Sequence, residues 1–206
     1  RLIPQCTKNA CKLARVRLAK QGVKVYLNAY AKEITPNEVH LANGNPLLTQ
    51  TVVWAAGVES SMSNLVENEY LNENGYIKTR ETLQLAGHDD VFIVGDIAGK
   101  EQGKGTLAPQ TAQAAIVQAQ ISAKNCYNLI NKKPLKNLKF KSKGDIMPIG
   151  NWYAVAQFGS FAFGGRFAWW LRRTIFLGEM WSWMNRLKVV VDWTLNIFMS
   201  RDTSEL

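Results

Sequence analysis

One stretch narrows the possible folds most: Val91-Phe92-Ile93-Val94-Gly95-Asp96, followed about a dozen residues later by Leu107 to Gln113, where a long Ala/Gln-rich helical pattern opens. A short apolar run closed by a turn predicts a buried parallel strand. Gly95 lets a bound molecule approach the backbone, and Asp96 offers a carboxylate to a sugar or ribityl hydroxyl at the carboxyl end of that strand. The order strand, Gly-Asp turn, helix suits an α/β fold of the dinucleotide-binding kind. On these residues alone an ordinary strand and turn stays open.

The surroundings fit the same frame. Val52-Val53-Trp54-Ala55-Ala56-Gly57 is an apolar run entering a small-residue turn, predicted as a strand. Thr82-Leu83-Gln84 precedes the Gly-Asp run across a polar turn, Gly87 to Asp90. Pro109 marks the expected start of the long helix, because proline is tolerated in a first turn. The free N–H groups and positive partial charge there favour an electron-rich ligand edge, and a surface helix with an ordinary cap is the other reading. Nearer the beginning, Arg1 to Gln21 reads as a helix already under way, with Gly22 as its stop before a strand at Val23 to Leu27. Glu38 to Leu41 and Leu47 to Thr49 predict a hairpin around Asn43-Gly44.

The chain of 206 residues contains no Gly-x-Gly-x-x-Gly, although a dinucleotide fold needs that phosphate-cradling turn. Together with the helix under way at Arg1, this leads us to expect the carboxyl-terminal half of an enzyme. A self-contained module is the alternative. The formal charge is +9, with lysines crowded into 132–143. Clustered cations suit nucleic acid, yet no nucleic-acid motif is present. Six of the seven Trp residues follow position 150, mixed with Arg166, Arg172, Arg173, Arg186, Lys188 and Arg201. Trp and Arg among Phe, Leu and Val suit a helix lying in a headgroup layer. The longest apolar run, Leu187 to Met199, carries Lys188 and Asp192 and is too short to span a bilayer, so it is expected to lie on one. Packing on its own domain or at a homodimer interface stays open. Cys6, Cys11 and Cys126 form no Cys-x-x-Cys pair, and with His40 and His88 they predict neither disulfide nor metal site.

At Thr51 to Val58, Val91 to Asp96, Ala108 to Ala115, Lys143 to Gly150 and Asn185-Arg186-Leu187 the chain resembles type II NADH dehydrogenase, the single-subunit NADH:quinone oxidoreductase. The resemblance covers nearly the whole chain in the family's own order. It implies the fold class, a partial two-dinucleotide-binding-domain (Rossmann-like) flavoprotein with an amphipathic carboxyl-terminal region. Residues 1–56 would end the NADH-binding domain, 57–131 would be the second part of the FAD-binding domain, and 132–206 a basic linker and membrane-associating tail. It implies FAD and NADH as cofactors and a membrane quinone as acceptor, without proton pumping. Gly95 and Asp96 would hold the FAD ribityl chain, and Ala55 and Gly57 would approach the cofactor at the domain crossing. Thr111, Ala112 and Gln113 would sit beside the isoalloxazine, with Gln113 at the site of quinone reduction. The family's Ala-Gln-x-Ala-x-Gln pattern is broken here, because Val117 stands where the second Gln belongs and Gln118 comes one place later. One residue turns a side chain by about 100° around a helix, so Gln118 does not inherit that role. The resemblance further implies a peripheral membrane protein facing the cytoplasm or an equivalent reducing compartment; the Trp/Arg-rich tail itself predicts contact with anionic lipid, and the lack of nucleic-acid motifs predicts no nucleic-acid partner. A sulfide:quinone oxidoreductase-like enzyme and a non-catalytic membrane-binding module are the alternatives.

Overall fold

The computed structural model describes residues 2–3, 6–57 and 66–198, with backbone alone for 196–198. Arg1, Val58, Met199 and Arg201, named above, lie outside the described residues. In chain order the elements are α1 (Lys8–Lys20), β1 (Ala31–Ile34), β2 (Glu38–Leu41), β3 (Leu47–Leu48), β4 (Ile77–Thr79), β5 (Ala98–Lys100), α2 (Ala112–Ile130), β6 (Asp145–Pro148), β7 (Ala154–Phe158), β8 (Phe161–Gly165), α3 (Arg166–Glu179) and α4 (Trp183–Phe198). They form two compact units, one of residues 1–50 with 143–206, the other of 51–142.

In the first unit α1 and α3 cover opposite faces of the antiparallel sheet β6-β7-β8. Side chains alternate across a strand. Val155 accordingly packs with Ala10 and Ala14 of α1, while Ala154 and Ala156 pack with Ala168 of α3. Small residues at these contacts bring helix and sheet close together. The Thr7 hydroxyl accepts from Ala10 N–H at 3.3 Å, which starts α1, and Thr7 N–H donates to Gln157 Oε1 at 2.7 Å, which ties that start to β7. Gly22 ends the helix at φ +77°. Its N–H bonds Ala19 C=O and that of Val23 bonds Leu18 C=O, both at 3.0 Å, the paired closure of a Schellman motif. Cys6 is buried 3.6 Å from the Met147 sulfur. Burial, with Asp145 and Cys11 adding to it, pushes the Cys6 thiol pKa up.

Among its described residues the second unit has one short parallel pair, β4 with β5, and the 19-residue α2. Much of its buried surface is polar: Asn72, Thr79, Gln84, Gln118, Asn125 and Asn128. Each is satisfied, and among the described residues no buried side-chain nitrogen or oxygen lacks a partner. Asn125 is the clearest case. Its Nδ2 donates to Thr82 C=O and Lys136 C=O, and its Oδ1 accepts Lys136 N–H, all at 2.8 Å. Leu83, fully buried, stands at φ +71°, a conformation that costs a non-glycine residue about 1–2 kcal/mol and is held here by its burial.

Several sequence expectations need correcting. The first helix begins at Lys8, later than expected, because Thr7 caps it; its stop at Gly22 is as expected. Val23 to Leu27 and Val52 to Trp54 form no strands, and Val53 is 86% exposed. Val91 to Val94 is not a parallel strand either. It runs extended and antiparallel to 83–85, through Leu85 N–H to Val91 C=O and Ile93 N–H to Leu83 C=O, both 2.8 Å. The cause is common to all three. A buried parallel strand needs neighbours to complete its ladder and cover its faces, and the sheets formed among the described residues do not supply them. The hairpin around Asn43-Gly44 is present, pairing Glu38 with Leu48 and Val39 with Leu47, and β1 joins it as a third strand. His40 lies in β2, 2.9 Å from Glu38, and His88 accepts or donates at 3.1 Å with the Tyr70 hydroxyl.

Asn125→Leu keeps the volume and leaves three backbone groups without partners. Their desolvation costs about 1–3 kcal/mol each when unrelieved. A clear fall in the urea midpoint is expected, whereas an unchanged midpoint would show that the carboxamide is dispensable.

Candidate functional site

The long helix starts differently from the expectation based on Pro109. Thr111 is the N-cap, at φ −140° and ψ 150°, and its hydroxyl accepts Ala114 N–H at 3.3 Å. Pro109 stands two residues earlier, in the lead-in, where its C=O accepts Thr111 N–H at 2.8 Å. A threonine hydroxyl satisfies one of the orphan donors of a first turn, which proline cannot do. Ala112, the first helical residue, has no acceptor within the helix for its N–H.

Gly95 and Asp96 form a turn at the end of the extended run. Gly95 adopts φ +85°, and a Cβ placed there would meet nothing within 4 Å. The turn closes through Ala98 N–H to Gly95 C=O at 3.1 Å. Two glutamines then fasten it, one on α2 and one in the lead-in before it. Gln118 Oε1, buried on the inner face of the helix, accepts Gly95 N–H, and Gln110 Nε2 donates to Asp96 C=O at 3.2 Å. The Asp96 side chain remains exposed.

The structure therefore brings Gly95, Asp96, Thr111 and Ala112 to one end of α2. Gln113 follows, half buried, in the first turn. Ala55 and Gly57 lie on an exposed irregular segment that this hydrogen-bond network does not include. Gln110 and Gln118 carry functions the sequence reading did not assign. For Gln118 a signal existed: Ala114, Gln118, Asn125 and Asn128 recur at the spacing of one helix face, so the glutamine sits where a core residue belongs.

Chemically, this end of α2 offers an exposed carboxylate for hydroxyl donors, a glycine backbone open to close approach, and the positive end of a long helix. Those groups fit a ribityl chain and an electron-rich ring edge. Beside the lead-in lies a pocket of about 270 Å³ lined by Glu81, Leu107, Ala108, Pro109, Leu138 and Phe140. Among the described residues no group of His, Cys, Asp and Glu could hold a metal ion.

The tail belongs to the first unit. Trp152, Trp169, Trp170 and Trp193 form an aromatic cluster in which Trp170 meets Trp193 of α4 edge-on at 6.4 Å. The opposite side of α4 is apolar and exposed: Met184, Leu187, Val191 and Leu195 at helical spacing, with Trp183 beside them and Trp181 fully exposed just before. Among the described residues no helix is long and apolar enough to cross a membrane. The arginines largely serve the tail itself. Arg173 lies over the rings of Trp169 at 3.9 Å and Trp193 at 4.7 Å, and Arg172 over Phe176 at 4.6 Å. Arg186 donates to the carbonyls of Met180 and Gly178 at 2.8 and 2.9 Å, which closes the end of α3.

Residues 1–119 match the pyridine nucleotide-disulphide oxidoreductase family, and residues 143–202 match the NDH2 C-terminal domain. A type II NADH:quinone oxidoreductase of Haemophilus influenzae is 33% identical over 158 residues, 76% of this chain and 36% of that protein. The structure of NDH2 from Plasmodium falciparum in complex with NADH superposes with a TM-score of 0.80 at 16% identity, covering 99% of this chain and 57% of that one. The sulfide:quinone oxidoreductase of Aquifex aeolicus gives 0.63 at 15% identity, covering 92% and 49%. These two likenesses establish the fold. The chain spans less than half the length of the first curated relatives it matches.

Thr111→Val removes the cap while preserving shape. A loss of about 1 kcal/mol is expected, with faster amide exchange confined to Ala112 to Ala115. Unchanged exchange there would remove Thr111 as the organiser of this helix end.

Proposed function

Because the chain belongs to the pyridine nucleotide-disulphide oxidoreductase family and carries the carboxyl-terminal domain of type II NADH dehydrogenases, we propose that it forms part of an FAD-dependent NADH:quinone oxidoreductase that pumps no protons. The observation that carries this reading is the Gly95–Asp96 turn fastened by Gln118 and Gln110 to the start of α2. The chemistry that bound FAD would supply is transfer of a hydride equivalent from NADH, leaving NAD, and delivery of two electrons with two protons to a quinone, giving the quinol. The chain's residues do the holding. Asp96 accepts hydrogen bonds from ribityl hydroxyls, and Gly95 leaves room for the chain of the cofactor. Thr111, Ala112 and Gln113 present the helix end to the ring edge, where its positive partial charge favours added electron density. Gln113 positions the quinone. Gln118 is committed to Gly95, so with Val117 in place of the family's second glutamine the quinone side rests on Gln113 and the helix backbone. Ala55 and Gly57 would complete the cofactor wall. In functional terms 1–56 ends the NADH-binding domain, 57–131 is the second part of the FAD-binding domain, and 132–206 links to the membrane-facing tail.

The exposed side of α4 supports peripheral attachment, lying on the bilayer on the face reached from the cytoplasm or an equivalent reducing compartment, with quinone drawn from the lipid. A second copy of the chain is the competing occupant of that side. Sulfide chemistry has weaker support. A redox cysteine beside the flavin is needed, and Cys126 stands about 22 Å along the helix from Thr111 at 1.5 Å per residue.

The full-length protein tests the redox reading. Anaerobic NADH is expected to bleach the flavin band and a soluble quinone to restore it, while Asp96→Ala weakens FAD binding about tenfold or more through the lost charged hydrogen bonds. Bleaching by sulfide alone, or the absence of flavin, would overturn it. For the tail, replacing Trp181, Trp183 and Leu187 by Ser is expected to reduce sedimentation with liposomes at least about tenfold. Unchanged sedimentation accompanied by loss of dimer would assign that side of α4 to self-association.

A further inference from the structure

Residues 102–144 contain eight lysines and no Asp, Glu or Arg, so this one segment holds +8 of the chain's formal +9. Lys104 is paired with Glu73 at 3.2 Å. Lys124, Lys132, Lys133, Lys136, Lys139 and Lys141 have no acidic partner among the described residues. Their backbone is not a loose linker. Beyond α2 the chain doubles back as an extended strap pinned at successive points: Lys133 N–H to Asn128 C=O at 2.8 Å, Asn128 Nδ2 to Pro134 C=O at 2.9 Å, Asn125 to both backbone groups of Lys136 at 2.8 Å, and Leu138 N–H to Glu81 C=O at 2.7 Å. Asn137 adds a bond to the Glu81 carboxylate at 2.8 Å.

This pinning sorts the side chains. Leu135, Leu138 and Phe140 turn inward, while Lys136, Lys139 and Lys141 are exposed. Lys124 on α2 stands close enough to Lys136 to lower the pKa of that ammonium. Two cations held together without a carboxylate repel each other, a cost that an arriving anion relieves. The tail offers a contrast. Arg172 and Arg173 lie over aromatic rings and Arg186 closes a helix end, so three of its arginines are engaged within the fold.

We propose that the strap formed by Lys132, Lys133, Lys136, Lys139 and Lys141, with Lys124, is the surface through which the protein selects anionic phosphate headgroups of a bilayer. The tail then supplies apolar attachment that is indifferent to lipid charge. This rests on the membrane reading of the preceding subsection. Lysines spread along a fixed, exposed backbone match a diffuse plane of negative charge. They do not match a stacking platform for bases: Phe140 lines the pocket, and Tyr127 lies under the Lys133 ammonium at 5.2 Å.

The test uses the full-length protein and vesicles of phosphatidylcholine alone or with phosphatidylglycerol. Each lysine near such a surface is worth roughly fivefold in partitioning. The triple variant Lys136→Gln, Lys139→Gln, Lys141→Gln is therefore expected to bind the anionic vesicles about 100-fold more weakly and the neutral ones equally well. The matching Lys→Arg variant is expected to keep the preference. Raising salt toward 1 M, where the Debye length shrinks to about 3 Å, is expected to abolish the preference in the wild type. An unchanged preference in the Gln variant, or vesicle binding displaced by RNA at lower concentration than by soluble phosphate, would overturn the proposal. Neutral-vesicle binding reads the tail separately, and NADH oxidation with a soluble quinone reads the redox assignment, so failure of either is distinguished from failure of the strap.

Discussion

The second unit depends on carboxamides doing the work that a sheet ladder does elsewhere. With only two short paired strands among its described residues, much of its backbone there is irregular, and buried N–H and C=O groups must still be satisfied. Gln118, Asn125 and Asn128, on one face of α2, reach in turn to the Gly95 turn, to Thr82 and Lys136, and to Pro134. A carboxamide can donate and accept at once, so one helix face organises segments far apart in sequence. An apolar face would have left those groups unpaired.

The same device joins stability to function. The residues that hold the Gly-Asp turn against α2 also set where Asp96 stands relative to the helix end, and those pinning 133–138 hold the lysines outward. The site and the strap are thus two outlets of one polar core. In the first unit the logic is the opposite. There alanines at both helix contacts of the sheet give close packing with little polar commitment, and the aromatic and apolar residues of α4 are left for the surface.

The parts legible in the sequence were those fixed locally. Gly22, the Asn43-Gly44 hairpin, the turn at Gly95 and the long Ala/Gln helix each follow from residues within one turn or one helix. The apolar runs at 23–27, 52–54 and 91–94 have the composition of strands and form none of the strands expected, because pairing is a property of neighbours and composition does not contain it. Thr111 outranks Pro109 as a helix start for a simple reason, since a hydroxyl accepts an N–H and a proline only omits one. Gln118 was legible as a departure from a family pattern. Its task became visible only once burial showed that face of α2 turned inward.

The contact between Gln118 and Gly95 is the one on which the proposed flavin site depends. Amide exchange at Gly95, measured alongside flavin content in the full-length protein and its Gln118→Leu variant, tests it most directly. In the variant, exchange at Gly95 is expected to be faster by an order of magnitude or more, with loss of flavin and unchanged protection in the second half of α2. Unaltered protection at Gly95 with full flavin content would contradict it.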